Sequence, residues 1–169
     1  AQAEPGQLRE MAERLSGLAD EAHSVFSSVA IKVEASVPGV RARAERSNPS
    51  NAHFWTRQIV DMAKSRRYWA DRHGPRAWAR LQLEDGGVTD LVVALHFVGN
   101  PSPGSCMGGA FLVHRARVGE SMADATFTLL PQEPLVLVAE EQPEPQRERF
   151  SRWVDEAVVF ALAEWKRQL

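Results

Sequence analysis

Two hydrophobic periods divide this chain, and together they restrict its fold more than any other feature. From Leu8 to Val29 the residues Leu8, Met11, Leu15, Leu18, Ala22, Val25 and Val29 alternate three and four apart, which lines them up on one stripe of a helix. From Trp78 onward the period is two, the spacing that sends alternate side chains to opposite faces of a strand. A chain that is helical first and stranded afterwards is expected to be an α+β domain.

The first helix is predicted from about Pro5 to about Ser36. Proline suits the first helical turn, Glu4 and Glu10 favour the positive end of the helix dipole, and Pro38-Gly39 ends it. Ala12, Ala19 and Phe26 widen the stripe beyond a strict coiled-coil seam, as in a helix docked on its own core. The alternative is a homodimer helix or a linker coil entering from upstream. Residues 38–51 read as a loop carrying Arg41, Arg43 and Arg46. A second helix fits about Asn51 to His73, with a stripe of Trp55, Ile59, Met62 and Trp69, a polar face of Arg57, Lys64 and Arg67, and a stop at Gly74-Pro75.

Five strands follow. Trp78 to Glu84 and Val88 to Val98 flank Asp85-Gly86-Gly87, where glycine supplies the positive φ of a tight hairpin turn. Further strands fit Ala110 to Val118, Thr126 to Leu130 and Pro134 to Ala139; the connections are too short for crossovers, so the sheet is expected to be a mainly antiparallel meander. Pro143 and Pro145 break the chain, and a closing helix from Gln146 to Leu169 presents Phe150, Val154, Ala157, Ala161 and Trp165 to the sheet. The expected architecture is two N-terminal helices, a five-stranded sheet and a C-terminal helix packed on it. Residues 1–169 form one domain in this reading, with 1–37 a helix able to serve a dimer or a linker, and 52–169 the core.

At 169 residues, 44% hydrophobic and 25% charged, the chain has the composition of a globular domain and needs no disulfide or metal to fold. Cys106 is its one cysteine, which excludes an intramolecular disulfide. That suits the cytoplasm, and equally an exported protein without disulfides. The first residue is Ala1 rather than Met, so it is read either as a natural terminus or as a boundary cut from something longer. No apolar run approaches the roughly 18 residues of a membrane span.

The formal net charge of −2 conceals a division: residues 1–40 sum to −3, 41–80 to +7 and 81–169 to −6. Half of all Lys and Arg lies in the middle segment. Within 54–80 these cations interleave with Phe54, Trp55, Tyr68, Trp69 and Trp78. Arginine binds phosphate or carboxylate through two parallel hydrogen bonds and an aromatic ring stacks a base, so Arg57, Arg66, Arg67, Trp69, Arg76 and Arg80 are the candidate ligand-binding residues for an anion such as a nucleotide. The competing account makes the tryptophans core anchors and pairs the arginines with acidic residues. A pI near 6.2 speaks against a nucleic-acid partner.

Catalytic signatures are missing: there is no G-x-S-x-G, Walker A, G-x-G-x-x-G, H-E-x-x-H or paired C-x-x-C. The stretch Gly99 to Gly109 is rich in glycine but lacks the lysine and helix start of a phosphate loop, so a plain connection is expected there. Strand alternation puts His96 and His114 on a shared face, with Cys106 between them as a conceivable third metal ligand or a nucleophile. No acidic residue completes a ligand set, and nothing nearby lowers the thiol pKa, so no metal, cofactor or catalytic residue is expected. Three functions follow in order: a non-enzymatic recognition or adaptor domain working through protein contacts, with a second copy as one partner; a sensor for an anionic small molecule; and an enzyme using His96, His114 or Cys106.

Overall fold

The computed structural model describes residues 5–47, 77–98, 105–120 and 124–168. In chain order these hold α1 (Pro5–Ser36), β1 (Arg41–Ser47), β2 (Ala77–Glu84), β3 (Val88–Val98), β4 (Ser105–Arg115), β5 (Thr126–Leu129), β6 (Leu135–Leu137) and α2 (Pro143–Arg167). The result is an α+β fold. The strands form an antiparallel sheet in the order β1-β2-β3-β4-β5, and β6 also pairs with β4. Because β5 faces Phe111–His114 and β6 faces Cys106–Gly108, they share one edge of β4, so the expected linear meander forks at its last step. The expected second helix, Asn51 to His73, lies outside the described residues.

The main core lies between one sheet face and both helices. From α1 it takes Met11, Leu15, Leu18, Ala22, Phe26 and Val33, from the strands Leu81, Leu91, Leu95 and Leu112, and from α2 Phe150, Val154 and Trp165. The buried stripe of α1 drifts from the predicted one: Phe26 is buried as expected, Ala30 and Val33 join it, and Val25 and Val29 are only partly buried. A straight helix repeats every 3.6 residues, and over the 32 residues of α1 a 3.5-residue pattern slips off the face that touches a flat partner.

Residues 41–47, expected within a loop, form β1. Its Ala42 and Ala44 face the helices while Arg43 and Glu45 face the other way, a period-two pattern written in residues that rarely announce a strand. Small side chains fit because α1 crosses here. Ala19 and Ala22 on the helix and Ala77 and Ala79 on β2 join the same cluster. Glu34, near the end of α1, accepts the Ala42 backbone N–H at 2.9 Å, and Arg46 reaches back to Asp20 at 2.5 Å and to the Ser16 carbonyl at 3.1 Å. Gly39 turns the chain between them with φ +78°.

The hairpin turn at 85–87 forms as expected, with Gly86 at φ +105° and the Asp85 carboxylate accepting the Gly87 N–H at 3.0 Å. β4 begins at Ser105, so Cys106, Gly108 and Gly109, expected in the connection, lie in the sheet. Gly108 is buried where a side chain would press on Leu95 at 3.2 Å and on the Trp153 ring at 3.7 Å. α2 starts at Pro143 rather than Gln146. Prolines in a first turn lack only N–H groups that have no intrahelical partner, so Pro143 and Pro145 open the helix they were expected to precede. Trp153 donates its indole N–H to the Glu133 carbonyl and Trp165 donates to the Asp85 carboxylate, both at 2.9 Å, which fixes α2 against the sheet. No described helix is long and apolar enough to cross a membrane.

Candidate functional site

The second sheet face differs in kind from the first. Its centre is apolar, with Trp78, Val92, Ala94, Phe111 and Val113 clustered together. Toward the β2–β3 turn it becomes polar. Strand register sets Arg43, Gln82, Asp90 and Val113 in one row, Glu45, Arg80, Val92 and Phe111 in a second, and Arg41, Glu84, Val88 and Arg115 in a third. Four arginines and three acids therefore occupy about one end of one face.

Asp90 is the hub. It has no exposed surface. Its Oδ1 accepts a hydrogen bond from Gln82 Nε2 at 3.1 Å and lies 3.7 Å from Arg80, and its Oδ2 lies 3.4 Å from Arg115 Nη2. Burial pushes its carboxyl above the ordinary aspartate range; the Arg80 charge, the Gln82 hydrogen bond and Arg115 oppose this without cancelling it. Arg80 also donates from Nε to Glu45 at 2.7 Å and from Nη2 to the same oxygen. Arg43 donates from Nε to Gln82 Oε1 at 3.0 Å, so Gln82 relays between Arg43 and Asp90.

This network floors a cavity of about 290 Å³, bordered by Arg43, Arg80, Gln82, Glu84, Val88 and Arg115, with Val118 and Gly119 at its rim. Not all of its polar groups are committed. Arg43 spends only its Nε and Arg115 only its Nη2 on described residues, and the Glu84 carboxylate forms no hydrogen bond or ion pair among the described residues. A polar hollow with open guanidinium donors is suited to a carboxylate or phosphate. A second hollow of about 340 Å³, lined by Glu34, Arg41, Ala42, Arg43, Gln82 and Glu84, adjoins it.

Of the six ligand-binding residues expected from sequence, Arg80 alone is described; Arg57, Arg66, Arg67, Trp69 and Arg76 lie outside the described residues. Arg80 lines the cavity and shares a face with Trp78, but its guanidinium is paired with Glu45 and Asp90. Arg43, Arg115, Gln82, Glu84 and Asp90 were missed. The signal for three of them was present: once the turn at 85–87 fixes the hairpin, Glu84, Gln82 and Asp90 fall on the parity of Trp78 and Val92.

The shared histidine face is corrected. Register places His96 opposite Met107 and His114 opposite Thr89, so the two rings lie on opposite faces of the sheet. Alternation within each strand was right, but it does not fix the offset between strands. His114 Nδ1 hydrogen-bonds Thr89 Oγ1 at 3.0 Å, and eight residues separate it from Cys106 on the same strand, about 27 Å at 3.4 Å per residue. Cys106 is buried in the main core, facing away from His96. Among the described residues no three His, Cys, Asp or Glu side chains gather as a metal site.

Compared with known proteins, the chain matches no family model, no curated protein and no solved structure.

Proposed function

We propose that this chain is a recognition domain that binds an anionic small molecule on the polar end of its second sheet face. The observation that carries the reading is the cavity that Arg43 and Arg115 both border, each with guanidinium nitrogens not committed to a described residue, over the buried Asp90 network. Such a site is pre-organised: the strands hold the guanidinium stems at fixed register, and Asp90 and Gln82 restrain Arg115 and Arg43 before a ligand arrives. Its size, at the low end for small-molecule sites, fits a compact ligand better than a dinucleotide.

Thermal unfolding of the full chain against simple carboxylates, inorganic phosphate and nucleoside monophosphates tests this. A bound anion at a hundredfold its Kd stabilises the native state by about 2.7 kcal/mol. The rise in Tm should disappear in Arg43→Gln, whose side chain is exposed and whose loss removes one hydrogen bond to Gln82 but leaves the Asp90 contacts with Gln82, Arg80 and Arg115 in place. No shift with any anion, or a shift indifferent to Arg43 and Arg115, would end the reading.

The protein-contact reading keeps one observation in its favour, the neighbouring Val159 and Phe160 exposed on the outer side of α2. The stripe of α1 that would first have served a homodimer is spent inside the fold. Light scattering on the same sample gives its mass and bears on self-association directly.

A further inference from the structure

Resting on the anion-site reading, we infer that the ligand is a small zwitterion, a free amino acid or a compound of the same chemistry, with its carboxylate on Arg43 and Arg115 and its ammonium on Glu84. The acids of this face are not equivalent. Glu45 is taken by Arg80, and Asp90 by Arg80, Arg115 and Gln82. Glu84 borders the same cavity, lies one row nearer the hairpin turn, and its carboxylate bonds to no described residue. Its cross-strand neighbour Arg41 faces the adjoining hollow without forming an ion pair with it.

A simple anion seated between Arg43 and Arg115 would lie beside this unpaired carboxylate and be repelled by it. A ligand with an ammonium group next to its carboxylate turns that repulsion into a second charge-assisted contact. The remaining wall is apolar, with Val88 between Glu84 and Arg115 in the row and Val118 at the rim 59% exposed, a surface for an aliphatic side chain. Open cations, one open anion and an apolar flank within about 290 Å³ are the complement of an amino acid.

Titration calorimetry of the full chain with the twenty L-amino acids, with carboxylic acids that match them but lack the amine, and with inorganic phosphate distinguishes the outcomes. At least one amino acid should bind about tenfold or more tightly than its amine-free analogue, the scale of one hydrogen bond to a charged group. Glu84→Gln should erase that difference while leaving binding of the amine-free acid unchanged or improved, with the melting curve confirming that the variant folds. Equal affinity for acid and amino acid, or a difference that survives Glu84→Gln, overturns the zwitterion and leaves the anion site standing. Binding of phosphate or carboxylates without any amino acid does the same. If nothing binds, both readings fall together.

Discussion

Asp90 brings a carboxylate out of contact with solvent and surrounds it with two arginines and an amide. Desolvation is the largest influence on it and raises its pKa, so the folded chain holds this proton more tightly than the unfolded chain does. The contribution of this group to stability is therefore complete below about pH 4, the unfolded aspartate range, and is lost as pH rises through the raised folded value. Asp90→Asn removes that dependence. Denaturant unfolding from pH 4 to 7 should show the variant gaining on the wild type as pH rises. A constant difference would mean that Arg80 and Arg115 fully offset the desolvation. Glu141 runs the other way: Arg149 beside it holds its carboxyl below the ordinary glutamate range, so its contribution is present above that range and lost as pH falls.

At the scale of elements, small residues decide how closely layers approach. Gly108 leaves room for Trp153 of α2 to lie on β4. Gly108→Val would press methyl groups on Leu95 and the indole, and overpacking of this kind costs about 1–3 kcal/mol. The loss should appear as a lower midpoint in chemical unfolding with an unchanged slope; an undiminished midpoint would show that α2 shifts freely. Elements with a strong period were legible in the sequence: α1 was bounded as observed because proline opens it and Pro-Gly closes it, and the first hairpin followed from its glycine turn. β1 was not legible, because Ala42 and Ala44 serve as its apolar face and the turn residues Pro38, Gly39, Ser47, Asn48, Pro49 and Ser50 at and beyond its ends point to a loop. The forked edge of β4 and the offset between His96 and His114 depend on pairing across the sheet, which alternation along one strand does not encode. For the same reason the candidate site was only partly legible: Arg80 was expected as a ligand residue, while Arg43 and Arg115 border the same cavity only through the register of β1 to β4.

For the molecule as a whole, the division of labour between the two sheet faces is what links folding to recognition. One face receives both helices and supplies the main core, while the other combines an apolar centre with a charged end. The helix face must then be strong enough to hold a polar, partly unsatisfied network in register, and Phe26 is its largest contribution from α1, with no exposed surface. Phe26→Ala should cost about 3–5 kcal/mol, from lost transfer free energy plus the cavity left behind. Against a total stability of about 5–15 kcal/mol, that is enough to unfold a marginal fold. Because α1 packs on β1 and β2, which carry Arg43, Arg80, Gln82 and Glu84, helix and site should be lost together. Far-UV circular dichroism and tryptophan fluorescence recorded through one denaturant titration should give coincident transitions in the wild type and, at lower denaturant, in the variant. If the helical signal instead melts first while the sheet stays folded, α1 is a separable attachment, and the linker-helix expectation regains its ground.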